Sequence, residues 1–345
     1  TVDLNVSVTD GVAAASLATV NVGSDVEDIA EAIVTLNGTK YVGSIANGVL
    51  SFNLSAGVYG NKTFIVTGAS GSTEYTIVIN ALVVTKAIAT EEDLQSISAI
   101  ETALNGDGYY MLTADITMSE TGWYATKWNG TEDVVTANYT IGRGHDFVGT
   151  IDGNGYKVIG FTIRSTDAKV SFISQLGAGG TVKNIAFVDA VFKQKGCFIS
   201  TAANENGVIR LIENVYIGIK TYETTGQNNH GLFGQTGVPS GYTMKNVVVD
   251  YTAATITGLE GTTNVNLFGH FGWWTTFTNV AVIGVPADLS GYVCGNTGSV
   301  SKGAVYISYD DGTTNGVEMP MSGWNDSFWT VDTENKTVTW KQKQN

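Results

Sequence analysis

Lys183-Asn184-Ile185-Ala186-Phe187 is the stretch on which the fold turns, because it comes back. The same pattern, an Asn before a short apolar run, returns as Glu213-Asn214-Val215-Tyr216-Ile217, Lys245-Asn246-Val247-Val248-Val249 and Thr278-Asn279-Val280-Ala281-Val282. The asparagines lie 30, 32 and 33 residues apart. A second recurring strand is built around phenylalanine: Phe172-Ile173-Ser174, Phe198-Ile199-Ser200, Leu232-Phe233-Gly234 and Leu267-Phe268-Gly269. A further copy at Lys302-Gly303-Ala304-Val305-Tyr306-Ile307 has Gly in place of the Asn.

Two short strands in a unit of about thirty residues cannot bury their own apolar faces, so each unit must lie against the next. A parallel β-solenoid follows, with rungs about 4.8 Å apart and Phe, Ile and Val stacked into one interior. Asn before the strand suits a tight corner, because it tolerates left-handed backbone and its amide can bond the next Asn along the stack. Asn184, Asn214, Asn246 and Asn279 are therefore expected to form a structural ladder.

Outward from the repeat, residues 1–86 alternate in short strands separated by Gly and Asn turns, at 40–45, 49–54, 62–66 and 75–84. That spacing predicts a small antiparallel sandwich. Residue 1 opens into the alternating run Val2, Leu4, Val6 and Val8, a strand pattern rather than a secretion signal. Segment 25–36 reads as a helix capped by Ser24 or a strand, and β-branched Ile33, Val34 and Thr35 favour a strand at its end. Next, Thr90 stands before Glu91, Glu92 and Asp93, and Leu94, Ile97, Ile100 and Leu104 recur on one helical face. A capping helix over about 90–105 is predicted, stopped by Gly106 and Gly108. Segment 329–340 reads as a hairpin that would cap the last coil, with Trp329 and Trp340 near its ends.

Composition limits the function. Charged residues make up only 14% of the chain, and the formal net charge is −14 without a basic run. Nucleic acid is thus a poor partner. Apolar runs of about eight residues fall far short of the roughly 20 needed to span a membrane as a helix. Cys197 and Cys294 read as two half-buried thiols, with a single disulfide as the alternative, and show no metal-ligand spacing. His145, His230 and His270 are too dispersed to suggest a metal site, and the residues call for no cofactor.

The order Ile88-Ala-Thr-Glu-Glu-Asp-Leu94, Tyr110-Met-Leu-Thr-Ala-Asp-Ile116, Phe147-Val-Gly-Thr-Ile-Asp-Gly-Asn-Gly155, then the Phe-Gly and Asn-Val blocks, resembles the right-handed β-helix of GLUG-type bacterial surface proteins. The resemblance covers about 88–340, and its most specific part is the 147–155 segment. The Gly-Leu-Phe-Gly form is intact only at 231–234. The resemblance implies an extracellular, adhesive or cell-wall-associated architecture, often beside Ig-like domains, and similar modules occur in phage particles. It transfers no catalytic residue.

Together these readings predict an all-β chain: an N-terminal Ig-like β-sandwich at 1–86, then a right-handed parallel β-helix at 87–345 with its capping helix and terminal hairpin. The expected role is a non-enzymatic protein of a cell or virion surface. Its partners would be a surface glycan, a protein or other subunits of an assembly. Alternatives are a polysaccharide lyase or glycoside hydrolase on the same scaffold, and a purely structural subunit of a particle or filament. Hydrolysis needs two converging carboxylates, and the nearest approach, Gly144-His145-Asp146, lacks the companion residues. Asp152 reads as a turn former, and Asp310-Asp311-Gly312 as a solvated turn rather than a cation loop. The better binding candidates are aromatic: Trp273 and Trp274, which in a strand would face opposite sides, and Trp123 and Trp128 as a second exposed cluster.

Overall fold

A computed structural model describes residues 2–7, 16–21, 31–36, 39–46, 49–54, 59–70, 73–119, 122–128, 133–165, 170–194, 196–203, 205–223, 231–234, 241–258, 266–294 and 305–343. The chain divides into two compact units, Thr1–Ile88 with Asp107–Met111, and Ala89–Gly106 with Leu112–Asn345.

Among the described residues, seven strands of the first unit form one closed sheet, β1 (Val2–Ser7), β2 (Ser16–Asn21), β3 (Glu31–Leu36), β4 (Thr39–Ala46), β5 (Val49–Leu54), β6 (Gly60–Ser70) and β7 (Thr73–Val84). They hydrogen-bond in the order β1-β2-β5-β4-β3-β6-β7, and the ring closes through β1 and β7. The strand spacing predicts antiparallel pairing throughout. The β1–β7 pair is instead parallel, with Val2 opposite Ile79 and Ser7 opposite Val84. Of segment 25–36, residues 31–36 form β3, as their β-branching favours, and 25–30 lie outside the described residues.

The second unit begins with a helix, Glu91–Ala103, whose first turn is closed by a capping box. The Asp93 amide donates to Thr90 Oγ1 at 3.2 Å, and the Thr90 amide donates to Asp93 Oδ2 at 3.2 Å. Three carboxylates in that turn face the positive end of the helix dipole. Leu94, Ile97 and Ile100 are buried, and so is Glu101. The periodicity does not announce that acid. Glu101 accepts the Gly142 amide at 2.9 Å and a hydrogen bond from His145 Nε2, so it ties the helix to the loop before the first rung.

Beyond the helix the chain winds as a β-solenoid. Strands Thr181–Gln194, Leu211–Glu223, Thr243–Asp250, Thr276–Val285 and Tyr306–Tyr309 stack in parallel. Ile185, Val215, Val247 and Val280 share one register column, and Phe187, Ile217, Val249 and Val282 share the next. All eight are buried. Phe172, Phe198, Phe233 and Phe268 stack on another wall, with successive ring centroids 5.3, 5.6 and 5.6 Å apart. The first pair is stacked and the other two are edge-to-face, arrangements that add to the burial of apolar area.

The asparagines stand in a row. Asn184, Asn214, Asn246 and Asn279 all have φ between 52° and 56°, which a β-branched residue at the same corner would adopt only with strain. Asn214 Nδ2 donates to Asn184 Oδ1 at 2.9 Å, Asn246 Nδ2 to Asn214 Oδ1 at 2.9 Å, and Asn279 Nδ2 to Asn246 Oδ1 at 3.0 Å. The row terminates on a carboxylate, because Asn184 Nδ2 donates to Asp152 Oδ1 at 3.0 Å. Asp152 also accepts the Asn154 amide at 2.9 Å, the local turn bond its sequence position suggests.

The hairpin of Trp329–Asp332 and Thr337–Trp340 is antiparallel. It does not close the last rung, the place expected from sequence. It lies along the solenoid flank, where Trp324, Trp329 and Val338 pack with Val248 and Ala281, and Tyr216, Tyr306, Phe328 and Trp340 border them. The physical reason is the outward column Tyr216, Val248, Ala281, Tyr306, too apolar to leave in water. Asn279 Nδ2 donates to Ser322 O at 2.9 Å near one end of this strap, and Lys343 Nζ donates to Asn154 O at 2.8 Å near the other. The last strand is met by its own returning chain: Asn315 Oδ1 accepts the Ile307 amide at 3.1 Å, and Asn315 Nδ2 donates to Val305 O at 2.9 Å.

Two stability outcomes follow. Asn246→Ala breaks two ladder bonds inside the protein and puts a Cβ-bearing residue without a compensating amide at positive φ, so a loss of about 2–4 kcal/mol is expected in urea unfolding. Asn246→Gly restores the dihedral freedom and should lose about 1 kcal/mol less; equal losses would remove the backbone part of the argument. Trp329→Ala is expected to cost about 3 kcal/mol or more and to increase binding of a hydrophobic dye. An unchanged unfolding midpoint would show that this ring does not anchor the strap.

Candidate functional site

The feature that stands apart from scaffold chemistry is the turn before strand Thr276–Val285. Trp273 and Trp274 are 66% and 50% exposed in a chain whose other rung aromatics are mostly interior. The Thr275 amide donates to Gly272 O at 3.1 Å, closing a turn with both tryptophans at its tip. Alternation along a strand predicts one tryptophan outside; the turn exposes both. The base beneath is aromatic and ordered by packing. Phe271 is buried, with ring centroids 4.9 Å from Phe268 and 5.1 Å from Phe277. Thr275 Oγ1 accepts the Tyr242 amide of the preceding rung at 3.3 Å. A turn held on such a base presents its rings with little ordering left to do on binding.

The other aromatic candidates separate. Trp123 is fully buried, its Nε1 donating to Ser171 O at 3.1 Å and its ring 5.2 Å from Phe172 and 5.6 Å from Phe161. The expectation that it belongs to an exposed cluster is corrected: the strand Tyr124–Trp128 pairs with Ile163 and turns Trp123 into the first coil. The backbone of Trp128 ends that strand, and its side chain lies outside the described residues.

The titratable groups singled out from sequence are engaged in local structure. His145 is bonded to Glu101, and the neighbouring Asp146 accepts from Gln175 Nε2. Asp310 Oδ1 accepts the Ala287 amide at 3.0 Å, and Asp311 Oδ1 accepts the Thr313 amide and hydroxyl at 2.9 and 2.6 Å. Those Thr313 bonds hold the Asp311 carboxyl below its usual range. His230 lies outside the described residues. His270 is near the tryptophan turn and buried, which lowers its pKa and keeps the ring neutral. Among the described residues no group of three or more His, Cys, Asp or Glu is placed to hold a metal ion. No helix among them is long and apolar enough to cross a membrane.

A pocket of about 380 Å³ opens near the last rung between Val293, Cys294, Ile307, Tyr309, Asn315 and Val317. Cys294 is half-buried there, and neither cysteine is disulfide-bonded. Burial pushes the Cys197 thiol up to about 12, against a smaller opposing pull from hydrogen bonds with Ser200 and Ser171.

No family model matches the chain, and no curated protein matches it. Among solved structures, it is weakly similar to the Yersinia enterocolitica family 28 exopolygalacturonase, with 8% identity over 82% of this chain and 80% of that one, at a TM-score of 0.17.

The two thiols give a direct check on the interior. Ellman's reagent at pH 8 is expected to modify Cys294 in the native protein and Cys197 only after unfolding, since a thiol raised that far carries almost no thiolate. Rapid native modification of both would contradict the sealed core around Cys197.

Proposed function

We propose that the chain is a non-enzymatic attachment or display protein of an extracellular surface, whether of a cell or a virion. In this reading the β-solenoid is a rigid rod, and the Trp273–Trp274 turn is its contact surface. The observation that carries it is the pair of large exposed aromatics on a turn whose base is packed into the core. Aromatic faces of this kind bind sugar rings or apolar protein surfaces. The stacked rungs supply the stiffness such a role needs, because each rung is held to the next through ladder bonds and ring contacts.

We also read the first unit as Ig-like. If its seven strands are lettered in order, the path β1-β2-β5-β4-β3-β6-β7 follows the neighbour orders A-B-E-D and C-F-G of an immunoglobulin constant-type sandwich, but β4 is hydrogen-bonded to β3 and β1 to β7, so the two halves are joined in one ring. A surface rod preceded by such a module accords with the resemblance in the motifs of 88–155. The purely structural alternative predicts extensive contacts between copies and no ligand at the tryptophan turn.

The rival reading is a carbohydrate-active enzyme on the same scaffold. Against it, Asp152 serves a turn and the ladder, Glu101 the helix tie and Asp311 a turn, while Glu213 and Glu223 are paired with Lys245 and Lys193 on the sheet surface. The deciding measurement is release of reducing ends or unsaturated products from pectin, xylan, alginate and a neutral glucan. None is expected above the buffer control, and product from any of them at enzyme-like turnover would overturn the proposal.

A further inference from the structure

Resting on the reading of the tryptophan turn as a contact surface, we infer that its ligand is an uncharged saccharide chain, gripped by the rings of Trp273 and Trp274, rather than an acidic polysaccharide or a protein.

Charge is the first ground. The protein carries a net charge of −14, yet residues 266–278 and 241–244, which make up the turn, its base and the adjoining rung, contain no Asp, Glu, Lys or Arg. Among the described residues the nearest cation on the adjoining rung is Lys245, opposite Thr278, and it is paired with Glu213 at 2.8 Å, so it is already neutralised rather than offered to a carboxylated or sulfated sugar, and the field of the whole chain repels a polyanion. The titratable group of the segment, His270, is buried and kept neutral, so it supplies no positive charge near physiological pH. What the turn does offer is two apolar ring faces with the hydroxyls of Thr275 and Thr276 beside them, and Thr276 is exposed. That combination matches the apolar C–H face and hydroxyl rim of a neutral pyranose.

Area is the second ground. An aromatic side chain buries about 150–250 Å², so the pair supplies at most about 500 Å², whereas a stable protein interface takes about 800 Å² from each partner. Among the described residues, the other exposed large apolar side chain near this corner is Ile209, which is 62% exposed. It lies two residues before Leu211, as Trp274 lies two residues before Thr276, and the register places those strands two rungs apart. Two rungs are about 10 Å along the stack, enough separation to leave each apolar spot a small site rather than one wide patch. A sugar ring stacks on one indole and its neighbour on the other, which needs no larger surface.

The test uses the full chain and two sets of probes: neutral hexaoses of glucose, xylose and mannose, and the acidic polymers polygalacturonate and hyaluronan, followed by titration calorimetry and tryptophan fluorescence. Binding is expected to at least one neutral hexaose and to neither acidic polymer. Trp273→Ala and Trp274→Ala should each weaken it at least tenfold, while Ile209→Ser changes it less than twofold; near-UV circular dichroism checks that each variant is folded. Binding of an acidic polymer that is lost in the tryptophan variants would overturn the neutral-ligand inference and leave the contact surface standing. Neutral binding untouched by either tryptophan variant would overturn both. The absence of binding to all five probes at millimolar sugar would overturn the saccharide inference.

Discussion

The side-chain amide of asparagine donates on one end and accepts on the other, and the solenoid is organised around that asymmetry. Three successive rungs each hand an Nδ2–H back to the Oδ1 of the rung before, from Asn279 through Asn246 and Asn214 to Asn184. The last proton goes to Asp152, a group that when ionised can only accept, so the row has a direction and a proper end. Hydrogen bonds aligned in this way polarise one another in a low-dielectric interior. Asn214 and Asn246 are buried, so a shift of register by one residue would orphan their amides as well as turn every Ile and Val to the wrong side. The ladder therefore sets the register in which the apolar columns form.

The flank strap answers a different demand of the same sheet. Parallel strands alternate their side chains, and here both sets are apolar: Val247 and Val249 look inward while Val248 stands with Tyr216 and Ala281 on the outer face. An open rod would leave that outer column in water. The tryptophan-rich segment from Trp324 to Trp340 covers it, with ring centroids 4.9 Å apart for Trp324 and Trp329 and 5.1 Å apart for Trp329 and Trp340. Lys343 completes the strap by reaching the Asn154 carbonyl and the face of Tyr156, 4.3 Å from its centroid.

Rigidity and recognition are thereby divided between parts of one rung. Strand positions are committed to neighbours above and below, and turns between strands are not, so a turn can carry two tryptophans without disturbing the stack. The price of that exposure is small because Phe271, Phe277 and Thr275 fix the turn from beneath. Charged residues stand on the strands rather than at the tip of the turn, as in the pairing of Lys245, opposite Thr278, with Glu213 at 2.8 Å.

Much of the scaffold is legible without coordinates, for a local reason. A corner at positive φ accepts few residue types, so its recurrence writes Asn into the chain every thirty-odd residues, and the apolar pattern after it tells which side is in. The helix start is legible likewise, since Thr90 and Asp93 satisfy each other's amides within four residues. The rung period, the interior columns and the helix cap are thus readable from the residues alone, because each depends on neighbours near in the chain or on a repeated identity. Tertiary structure alone decided that Trp123 is core, that Trp273 and Trp274 both face water, that Glu101 is buried against His145, and that the terminal hairpin covers a flank. Each of those depends on which distant segment comes alongside, and a side chain's solvent exposure is a property of that encounter rather than of its own residue type.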